Sequence, residues 1–425
     1  MTSFRINGGK ELSGELRVSG NKNAALPMIA ATLLTDKEVL LKNVPDILDV
    51  RVMLEIVSSL GVDVSFDNGE LRIKAESIKT NEIPRLLCSK IRTSFLLGAP
   101  LLQRTGKCVL WPPGGDIIGR RRLDAHFYGL RTLGAELSVD NLPFVFSRSA
   151  KLRGRELFLD EASVTATEHI LLAAVLAEGR TVIRNAASEP HVKSLAELLN
   201  KMGAKISGLD SNTIYIDGVE ALHGAEHCIE GDHIEAGSFL ALAAATGSKI
   251  KINGTSPRNY WMIRRVFEKM GVEMTLNSDH IYFPDGQSLK IEPEHGNAIP
   301  IISDGPWPQL PTDMMSCLIV AATQASGTVM FFEKMFESRI YFVDRLIMMG
   351  ANAIVCDPHR VVISGPARLR ASEMSSPDIR AGMAMVIAAL CAEGESVIHN
   401  ADMILRGYEG LVDKVSALGG LIEKI

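Results

Sequence analysis

The sequence has few cysteines and few aromatic residues, and both scarcities limit what the protein can be. Six cysteines are scattered through 425 residues, and none forms a Cys-x-x-Cys pair. The spacing therefore predicts neither a zinc site nor a disulfide framework, and we expect reduced, mostly buried thiols. Because aromatic residues make up only 5% of the chain, the core is expected to consist of Leu, Ile, Val, Ala and Met.

The chain also lacks a long apolar run and a strong charge imbalance. No apolar stretch near the N-terminus has the form of a signal peptide, and none elsewhere is long enough to cross a bilayer. The net charge of −5 gives no support to nucleic-acid binding. These absences predict a cytoplasmic protein that binds neither nucleic acid nor membrane. No cluster of potential ligands suggests a metal or an organic cofactor.

One signature, an amphipathic helix followed by a hydrophobic residue, a glycine and a short strand, occurs six times. Its glycines are Gly61, Gly134, Gly203, Gly271, Gly350 and Gly419. Their spacings of 73, 69, 68, 79 and 69 residues are too regular to be accidental. Each glycine fits the end of a helix, where a positive φ is needed before the strand begins.

Each repeat also contains a second helix that is apolar on all sides, such as Ile170–Gly179 and Met383–Gly394. A helix of this kind is typically buried. A hairpin follows the glycine in five repeats, and Asn68-Gly69 is the strongest turn signal among them. Each repeat is therefore predicted to be a βαβαββ unit with one buried and one half-exposed helix.

The sixth repeat stops before its hairpin can return, so its missing strand must come from elsewhere. The N-terminal segment Ser3–Ser19 is the spare strand material, and we expect the two ends of the chain to pair. Residues 22–230 then form one three-repeat domain that carries a mobile loop. Residues 1–21 and 231–425 form a discontinuous second domain. The cleft that two chain crossings create is the expected ligand site.

A six-fold βαβαββ repeat in two three-repeat domains resembles the enolpyruvyl transferase family over the whole chain. The resemblance implies an α/β fold with two inverse α/β barrel domains and buried helices. It implies a transferase that moves the enolpyruvyl group of phosphoenolpyruvate to an acceptor hydroxyl. The motifs are closer to the branch that acts on UDP-N-acetylglucosamine than to the branch that acts on shikimate-3-phosphate.

Two motifs of the first domain carry cations. The segment Ser19–Asn23 opens the first buried helix and resembles the family motif whose Lys, here Lys22, binds the phosphate of phosphoenolpyruvate. Asn23 matches the residue that helps to bind the acceptor sugar. From the residues alone, Lys22 is equally well a solvated side chain. Arg92 lies in an apolar stretch and needs an anionic partner if it is buried, although a helix-end Arg facing water is also plausible.

The stretch from Pro112 to His126 combines three glycines with three consecutive arginines. It resembles the catalytic lid of the family, whereas a solvated basic turn is the alternative. By this register Arg121 binds phosphate, and Asp124 and His126 match later polar positions of the loop. Arg122 replaces the family's Pro, which puts the shape of the loop in question.

Asp116 occupies the lid position where most family members have Cys. The resemblance implies that a proton is added to the methylene carbon as the acceptor hydroxyl attacks C2, which gives a tetrahedral ketal phosphate. Phosphate then leaves as the methyl group loses a proton. Asp116 is either the general acid or an aid to phosphate release. Because a carboxylate attacks an epoxide far more weakly than a thiolate does, we predict insensitivity to fosfomycin.

Two acidic motifs lie in the second domain. Asp232–Gly237 resembles a family segment in which the Glu, here Glu235, positions residues around the reacting group. Helix capping by Asp232 is an equally good explanation. Asp313 precedes a buried helix and by default is a helix cap. The resemblance instead makes it the residue that contacts the 3′-hydroxyl of the acceptor and removes its proton.

The sixth repeat contributes the last polar motifs. Asp378 and Arg380 resemble a family motif whose Arg contacts phosphoenolpyruvate and whose Asp supports loop closure. Arg406 resembles the Arg that binds phosphoenolpyruvate and draws the lid shut. With Lys22, Arg92 and Arg121, these arginines are expected to neutralise the carboxylate and phosphate of the substrate.

Changes from the family pattern fall mainly on the acceptor side. Ser163, Val164 and Thr165 resemble the segment that binds the nucleotide diphosphate, with Thr165 in place of Gly. Glu161 stands where a Lys is often found. The segment Phe336–Arg339 resembles the family sequence beside the sugar, with Ser338 in place of Asn.

The preferred hypothesis is therefore transfer of enolpyruvyl to UDP-N-acetylglucosamine, the first committed step of peptidoglycan synthesis, which links the protein to cell shape and cell division. One alternative is a paralogue with a different nucleotide acceptor, motivated by Glu161, Thr165 and Arg122. Another is a catalytically silent ligand-binding relative. The retained cations and acidic residues argue against the silent relative.

Overall fold

The six repeat glycines all lie at helix ends in the left-handed region of the backbone, as the sequence predicts. Their φ angles are 85° at Gly61, 98° at Gly134, 102° at Gly203, 74° at Gly271, 105° at Gly350 and 89° at Gly419. A side chain with a Cβ is strained at these angles, so each position favours glycine. The computed structural model of the chain describes residues 2–116, 118–284 and 286–425. Ile117, within the predicted lid, lies outside the described residues.

The strands, in chain order, are β1 Phe4–Gly8, β2 Ser13–Arg17, β3 Glu38–Lys42, β4 Asp63–Asp67, β5 Glu70–Lys74, β6 Lys107–Leu110, β7 Glu136–Ser138, β8 Phe144–Ser147, β9 Glu156–Phe158, β10 Arg180–Arg184, β11 Lys205–Ser207, β12 Thr213–Asp217, β13 Glu226–Cys228, β14 Lys249–Asn253, β15 Thr275–Leu276, β16 His280–Phe283, β17 Ile301–Ser303, β18 Gly327–Phe332, β19 Ala353–Asp357, β20 Arg360–Gly365, β21 Glu373–Ser375, β22 Gly394–His399 and β23 Leu421–Lys424.

The α-helices are α1 Lys22–Thr32, α2 Leu48–Ser59, α3 Arg85–Cys88, α4 Gly98–Thr105, α5 Asp124–Thr132, α6 Val164–Ala174, α7 Pro190–Lys201, α8 His233–Thr246, α9 Trp261–Lys269, α10 Met315–Gln324, α11 Val343–Met348, α12 Ile379–Cys391, α13 Asp402–Leu405 and α14 Leu411–Ala417. Short 3₁₀ helices cover Arg92–Leu97, Pro257–Asn259, His295–Asn297 and Thr312–Met314. None of the helices among the described residues is both long and apolar enough to cross a membrane.

The strands form six small sheets that share one topology. Their orders are β4-β5-β3-β13, β7-β8-β6, β11-β12-β10-β9, β15-β16-β14-β2, β19-β20-β18-β17 and β23-β1-β22-β21. In the five four-stranded sheets, an antiparallel pair of strands joins a third strand, and a parallel strand forms the far edge. Every sheet seen among the described residues is open and does not close into a barrel.

The two ends of the chain meet in the last of these sheets. Strand β1 lies between β22 and β23 and pairs antiparallel with both, so Ile6 faces Ser396 on one side and Ile422 on the other. The N–H of Ser3 donates to the carbonyl of Ile425 at 3.0 Å. The predicted pairing of the chain ends is confirmed, because the sixth repeat obtains its missing strand from the N-terminus.

The chain packs into two compact units. The terminal unit comprises residues 1–19, 116–120 and 230–425, and the central unit comprises residues 20–115 and 121–229. The predicted domains, 22–230 and 1–21 plus 231–425, stay a prediction about folding domains. Packing differs from that division in one informative place. The segment Asp116–Arg120, which we assigned to the first domain, packs with the terminal unit.

Each unit has a core built around buried helices. In the terminal unit α8, α10 and α12 pack against one another, and they are buried on nearly every side. In the central unit α1, α4 and α6 are similarly buried. Because a helix without a polar face gains most when it is completely removed from water, these sequences favour the interior. The polar residues that cap the N-termini of the buried helices therefore lie at the boundary of each apolar core.

Candidate active site

Asp313 lies in the terminal unit between two buried arginines. Its Oδ1 accepts a hydrogen bond from Nη2 of Arg339 at 2.7 Å, and its Oδ2 accepts from Nε of Arg380 at 2.9 Å. The Asp313 side chain keeps 25% of its surface exposed, whereas the two arginine side chains are 3% and 4% exposed. Each carboxylate oxygen has two lone pairs, so Asp313 can still accept a proton from a bound hydroxyl.

Asp313 does not occupy a helix N-cap position, because the N-cap residue is Pro311 for the short 3₁₀ turn and Met314 for α10. The turn Thr312–Met314 instead aims the carboxylate at Arg339 and Arg380. Neighbouring side chains support the Arg380 guanidinium group. Arg380 lies over the ring of Tyr408 at 5.3 Å, and the Tyr408 hydroxyl lies 2.8 Å from Ser238 Oγ. A buried, braced pair of cations fixes the direction of the carboxylate.

Asp378 caps helix α12 from a buried position. Its Oδ1 accepts from the N–H groups of Arg380 at 2.8 Å and Ala381 at 3.0 Å, and it lies 4.0 Å from Nη1 of Arg339. Burial raises the pKa of Asp378, and the nearby Arg339 and the backbone N–H groups oppose that rise. The Asp378 carboxyl group therefore also orients Arg380, the residue that follows it by two.

The tip of the predicted lid is bound to the terminal unit through Asp116. Oδ1 of Asp116 accepts from Nη1 of Arg406 at 2.7 Å, and both side chains are about nine-tenths buried, with 13% and 14% exposed. The predicted lid residue and the predicted phosphoenolpyruvate-binding Arg are thus in direct contact. In this state the Asp116 carboxylate occupies a guanidinium edge that an anionic substrate would also use.

Glu337 holds the other end of the lid tip. Its Oε2 accepts from the N–H of Arg120 at 3.2 Å, and the N–H of Ser338 donates to the carbonyl of Ile118 at 3.3 Å. Gly119 has φ 132°, and a Cβ there would lie 2.3 Å from Glu337 Oε2. Glycine is therefore required at this position both by the backbone angle and by the close approach.

Glu235, predicted to position groups around the reaction, is engaged at the chain crossing. It is 2% exposed and accepts from the N–H of Ser19 at 2.7 Å and from Lys414 Nζ at 2.5 Å. Lys414 also donates to Ser19 Oγ at 2.7 Å. Burial raises the pKa of Glu235 to about 7, although the contact with Lys414 lowers it. Asp232 is the N-cap of α8, as its alternative explanation proposed.

In the central unit, Lys22 begins helix α1 and forms a buried ion pair. Its Nζ lies 2.8 Å from Oδ2 of Asp49, and the two side chains are 10% and 7% exposed. Asn21 caps the helix by accepting from the N–H groups of Asn23 and Ala24. Lys22 is thus not a solvated residue, and Asn23, which is half-buried, has its backbone fixed by this cap.

Arg92 is a half-buried cation that has no carboxylate within ion-pair distance among the described residues. Its Nη2 donates to the carbonyl of Arg122 at 3.1 Å. Burial, and then the charge of Arg121, lower the pKa of Arg92 to about 10, and Glu161 partly opposes them. A Cβ on Gly115 would lie 3.2 Å from Cβ of Arg92 and 3.8 Å from Nη1 of Arg121, so the two arginines are neighbours. The Arg92 guanidinium group, without a carboxylate in ion-pair distance among the described residues, can bind an anion.

Arg122, the residue in place of the family's Pro, pairs with Asp124. Its Nε and Nη2 donate to the two carboxylate oxygens of Asp124 at 2.8 and 3.0 Å. Both side chains are exposed, and the pair lowers the pKa of Asp124. The predicted substrate residue Asp124 is therefore held by its neighbour, and a ligand would have to compete for it.

His126 is buried, and it joins two other side chains. Its Nδ1 lies 3.1 Å from Nδ1 of His169, and its Nε2 lies 3.1 Å from Oγ1 of Thr165. Burial holds the pKa of His126 well below its usual range, and burial lowers that of His169 to about 3. Burial thus favours the neutral form of both rings, and His126 contacts Thr165 at the start of helix α6. Ser163, the N-cap residue, makes no side-chain capping bond, and Val164 and Thr165 are half-buried.

Sequence reasoning missed several residues of these clusters. Four of them ion-pair with, or hydrogen-bond to, a predicted residue or the lid tip: Asp49, Glu337, Arg339 and Lys414. Phe336 was predicted, and it lies 5.7 Å from the Arg339 guanidinium. The segment Phe336–Arg339 was singled out, so its Arg could have been found, but Asp49 and Lys414 carry no local signal. Within the described ranges, no cluster of three His, Cys, Asp or Glu could hold a metal ion.

Comparison with known proteins identifies the family. The model of the EPSP synthase (3-phosphoshikimate 1-carboxyvinyltransferase) family matches residues 6–415. A UDP-N-acetylglucosamine 1-carboxyvinyltransferase of Treponema denticola is 52% identical over 425 residues, covering 100% of this chain and 99% of the relative. That of Treponema pallidum is 50% identical and covers both chains completely. The chain belongs to the enolpyruvyl transferase family, as predicted.

Solved structures show the same fold at low sequence identity. The enolpyruvyl transferase NikO of Streptomyces tendae superposes with a TM-score of 0.86 at 22% identity, covering 100% of this chain and 98% of that one. EPSP synthase of Acinetobacter baumannii gives 0.77 at 20% identity over the full length of both chains. The predicted fold class of two domains built from α/β repeats with buried helices is confirmed, and the protein is a transferase.

Proposed function

We propose that this protein transfers the enolpyruvyl group of phosphoenolpyruvate to the 3′-hydroxyl of UDP-N-acetylglucosamine and releases phosphate. The observation that carries the proposal is the 52% identity to a UDP-N-acetylglucosamine 1-carboxyvinyltransferase along the whole chain. The reaction would be the first committed step of peptidoglycan synthesis, in the cytoplasm, with consequences for cell shape and cell division.

The anion-binding chemistry is supported by Arg92, a half-buried cation that neighbours Arg121. Arg92 and Arg121 lie together, and Arg92 lacks a carboxylate partner among the described residues. A carboxylate or phosphate oxygen placed between them would relieve their mutual repulsion. Phosphoenolpyruvate carries both groups, so these arginines would bind it and stabilise the charge of the tetrahedral ketal.

Asp313 is the proposed base for the acceptor. Because Arg339 and Arg380 hold both oxygens from one side, the exposed quarter of the side chain is the edge that a sugar hydroxyl can reach. The proton of the 3′-hydroxyl would pass to Asp313 as the oxygen attacks C2 of phosphoenolpyruvate, while the methylene carbon takes up a second proton. Loss of phosphate and of one methyl proton then restores the enol ether.

Asp116 has a role that depends on its release from Arg406. In the observed ion pair the Asp116 carboxylate is directed at a guanidinium group rather than at open space. When the substrate takes over Arg406, Asp116 would be freed to take up a proton from solvent and pass it to the methylene carbon, or to assist the departure of phosphate. Lys22, Arg380 and Arg406 would complete the charge around the substrate.

The test is inorganic phosphate release from phosphoenolpyruvate, with and without UDP-N-acetylglucosamine. We expect acceptor-dependent release, which falls by about 10²- to 10⁴-fold in D313A because the base is lost. The exposed Asp344 of the same unit provides the matched control D344A, which should keep wild-type activity. Release that needs a different nucleotide would favour the paralogue, and tight binding without turnover would favour the silent relative.

Fosfomycin tests the identity of the lid residue separately. We propose that the protein resists the drug, because a carboxylate at position 116 is a poor nucleophile toward the epoxide. Intact-protein mass spectrometry should show no adduct on the wild-type protein and a stoichiometric adduct on D116C. An adduct on Asp116 itself would contradict the proposal.

A further inference from the structure

Two carboxyl groups meet in the interior of the terminal unit, away from any ion-pair partner. Strands β17 and β18 run parallel with Ser303 beside Phe332, so the residues that follow them, Asp304 and Glu333, are neighbours. Both are fully buried, Asp304 raises the pKa of Glu333, and Oδ2 of Asp304 has no hydrogen-bond partner among the described residues. Two neighbouring buried carboxylates would repel each other, and a proton held between them would satisfy Oδ2 of Asp304.

The remaining oxygens of the pair bind three separate pieces of chain. Oε1 of Glu333 accepts from the N–H groups of Met335 and Phe336 at 3.0 Å each. Oε2 of Glu333 accepts from the hydroxyl of Thr312 at 2.8 Å. Oδ1 of Asp304 accepts from the N–H of Lys334 at 2.6 Å. The pair therefore ties the turn that carries Asp313 to the segment that leads to Phe336.

The charged groups around the pair do not neutralise it. Nζ of Lys334 is turned to Ser303 Oγ, and Nδ1 of His359 lies 2.8 Å from the backbone carbonyl of Glu333. The guanidinium of Arg339 is bonded to Asp313 and acts on Glu333 only at a distance. Within the described part of the chain, no Lys, Arg or His forms an ion pair with either carboxyl. Only a shared proton can remove the repulsion between them.

We propose that Asp304 and Glu333 are a proton-sharing positioning pair for the acceptor side of the transferase reaction. Neither group touches substrate in this scheme. The pair fixes Thr312, and with it the direction of the adjacent Asp313, and it fixes the backbone of Phe336 beside the sugar. The inference rests on the proposed function and assigns a purpose to the Gly305–Leu310 spacer, which closes on itself through a hydrogen bond from Gly305 N–H to the carbonyl of Leu310.

Loss of the shared proton would break this arrangement. Burial, and then the contact with Asp304, raise the pKa of Glu333 to about 9, against the smaller opposing effects of Thr312 and Arg339. Above that pH two negative charges would lie in contact in a dry site, and the strands must separate or admit water. The turn of Asp313 would then move, so binding of the acceptor should weaken more than binding of phosphoenolpyruvate.

The first experiment is the pH dependence of kcat/KM for UDP-N-acetylglucosamine between pH 7 and 10.5. E333Q and D304N each replace the shared proton with an amide N–H, so neither needs a titrating proton. We expect the wild-type value to fall above about pH 9, and both variants to lack that fall while losing about threefold at pH 7.5. KM for phosphoenolpyruvate should change little. The exposed Glu292 supplies the control E292Q, which should keep the wild-type profile. An unchanged alkaline fall in both variants would overturn the proposal.

Substitutions of Thr312 provide an independent test of the proposal. T312V removes the hydroxyl that donates to Glu333, and T312S keeps it. T312V should raise KM for UDP-N-acetylglucosamine by about tenfold, and T312S by less than about twofold. Equal KM values for the two variants would contradict the link between the pair and the turn.

The pH dependence of stability separates this inference from the proposed function, because it needs no turnover. Since the pKa of Glu333 is raised in the folded state, its contribution to stability is greatest at low pH and is lost as the pH rises toward 9. The Tm of E333Q relative to wild type should therefore increase steadily from pH 5 to 9. If phosphate release fails but this trend appears, the shared proton stands and the reaction was misassigned. A pH-independent difference in Tm would disprove the shared proton itself.

Discussion

The ion-pair network around Asp313 in the terminal unit and the surroundings of Arg92 in the central unit treat charge in opposite ways. In the terminal unit the carboxylates and cations that matter are matched: Asp313 with Arg339 and Arg380, Asp116 with Arg406, and Glu235 with Lys414. In the central unit Arg92 is half-buried without a carboxylate partner among the described residues, next to Arg121.

This difference separates two tasks of a binding protein. A matched network fixes the direction of a catalytic group, because each partner is satisfied only in one geometry. A half-buried cation without a carboxylate partner is stabilised when an anionic substrate binds to it. One consequence is that substitution of Arg380 should lower stability whereas substitution of Arg92 should not, even where both reduce activity.

The largest effect is expected when the matched network is broken. R380A would leave Asp313 and the ring of Tyr408 without their buried cation. Truncation of one member of a buried pair costs about 3–5 kcal/mol, and the turnover rate should fall by at least about 100-fold because Asp313 loses its direction. Urea unfolding and phosphate release measure the two effects. R360A, at an exposed arginine of the same unit, is the control, and a stable, inactive R380A would show that the network serves only substrate binding.

A smaller loss of activity without loss of stability is expected when the unmatched cation is removed. R92Q should raise KM for phosphoenolpyruvate by about 10- to 100-fold, since a charge-assisted bond to the substrate is lost. Its unfolding free energy should stay the same or rise, because a half-buried charge without a carboxylate partner is gone. R72Q, at an exposed arginine of the central unit, should match the wild type in both measurements. Marked destabilisation of R92Q would mean that the two units do not differ in the way described.

The smallest effect is expected at Thr165, where the central unit departs from the family pattern. T165V removes the hydroxyl that meets Nε2 of the buried His126, and T165S keeps it. We expect T165V to raise KM for UDP-N-acetylglucosamine by less than about tenfold, with KM for phosphoenolpyruvate unchanged. Steady-state kinetics with one substrate saturating checks this. If T165V and T165S behave alike, the hydroxyl has no part in acceptor binding.

The repeat architecture could be derived from the sequence because its signals are local. A glycine at each helix end, a hairpin turn such as Asn68-Gly69 and an apolar helix lie within one repeat, and they predict the same structure each time. The pairing of strand β1 could be inferred by elimination, because the last repeat lacked a strand and the N-terminal segment was the spare strand material. Helix capping was one of two explanations for Asp232 from its position before an apolar run, and Asp232 does accept from the expected N–H groups.

The electrostatic partners could not be derived in this way, because they are distant in the chain. Asp313 finds Arg339 and Arg380, which are 26 and 67 positions away. Asp304 and Glu333 each look like an ordinary strand-end carboxylate until the register of β17 and β18 brings them together. The packing of the lid tip with the terminal unit could not be derived for the same reason, since the contacts of Asp116 and Arg120 with Arg406 and Glu337 have no signal in the local sequence.

The sheet that joins the chain ends has a consequence for how the molecule can be cut. Ser3 and Ile425 exchange two backbone hydrogen bonds, of 3.0 and 2.9 Å, so the two ends of the chain lie side by side in one sheet. The packing of the six repeats does not depend on where in the sequence the chain is interrupted. A few residues bridging the ends, with new ends opened at the exposed Asn68-Gly69 turn, would give a circular permutant with every sheet intact.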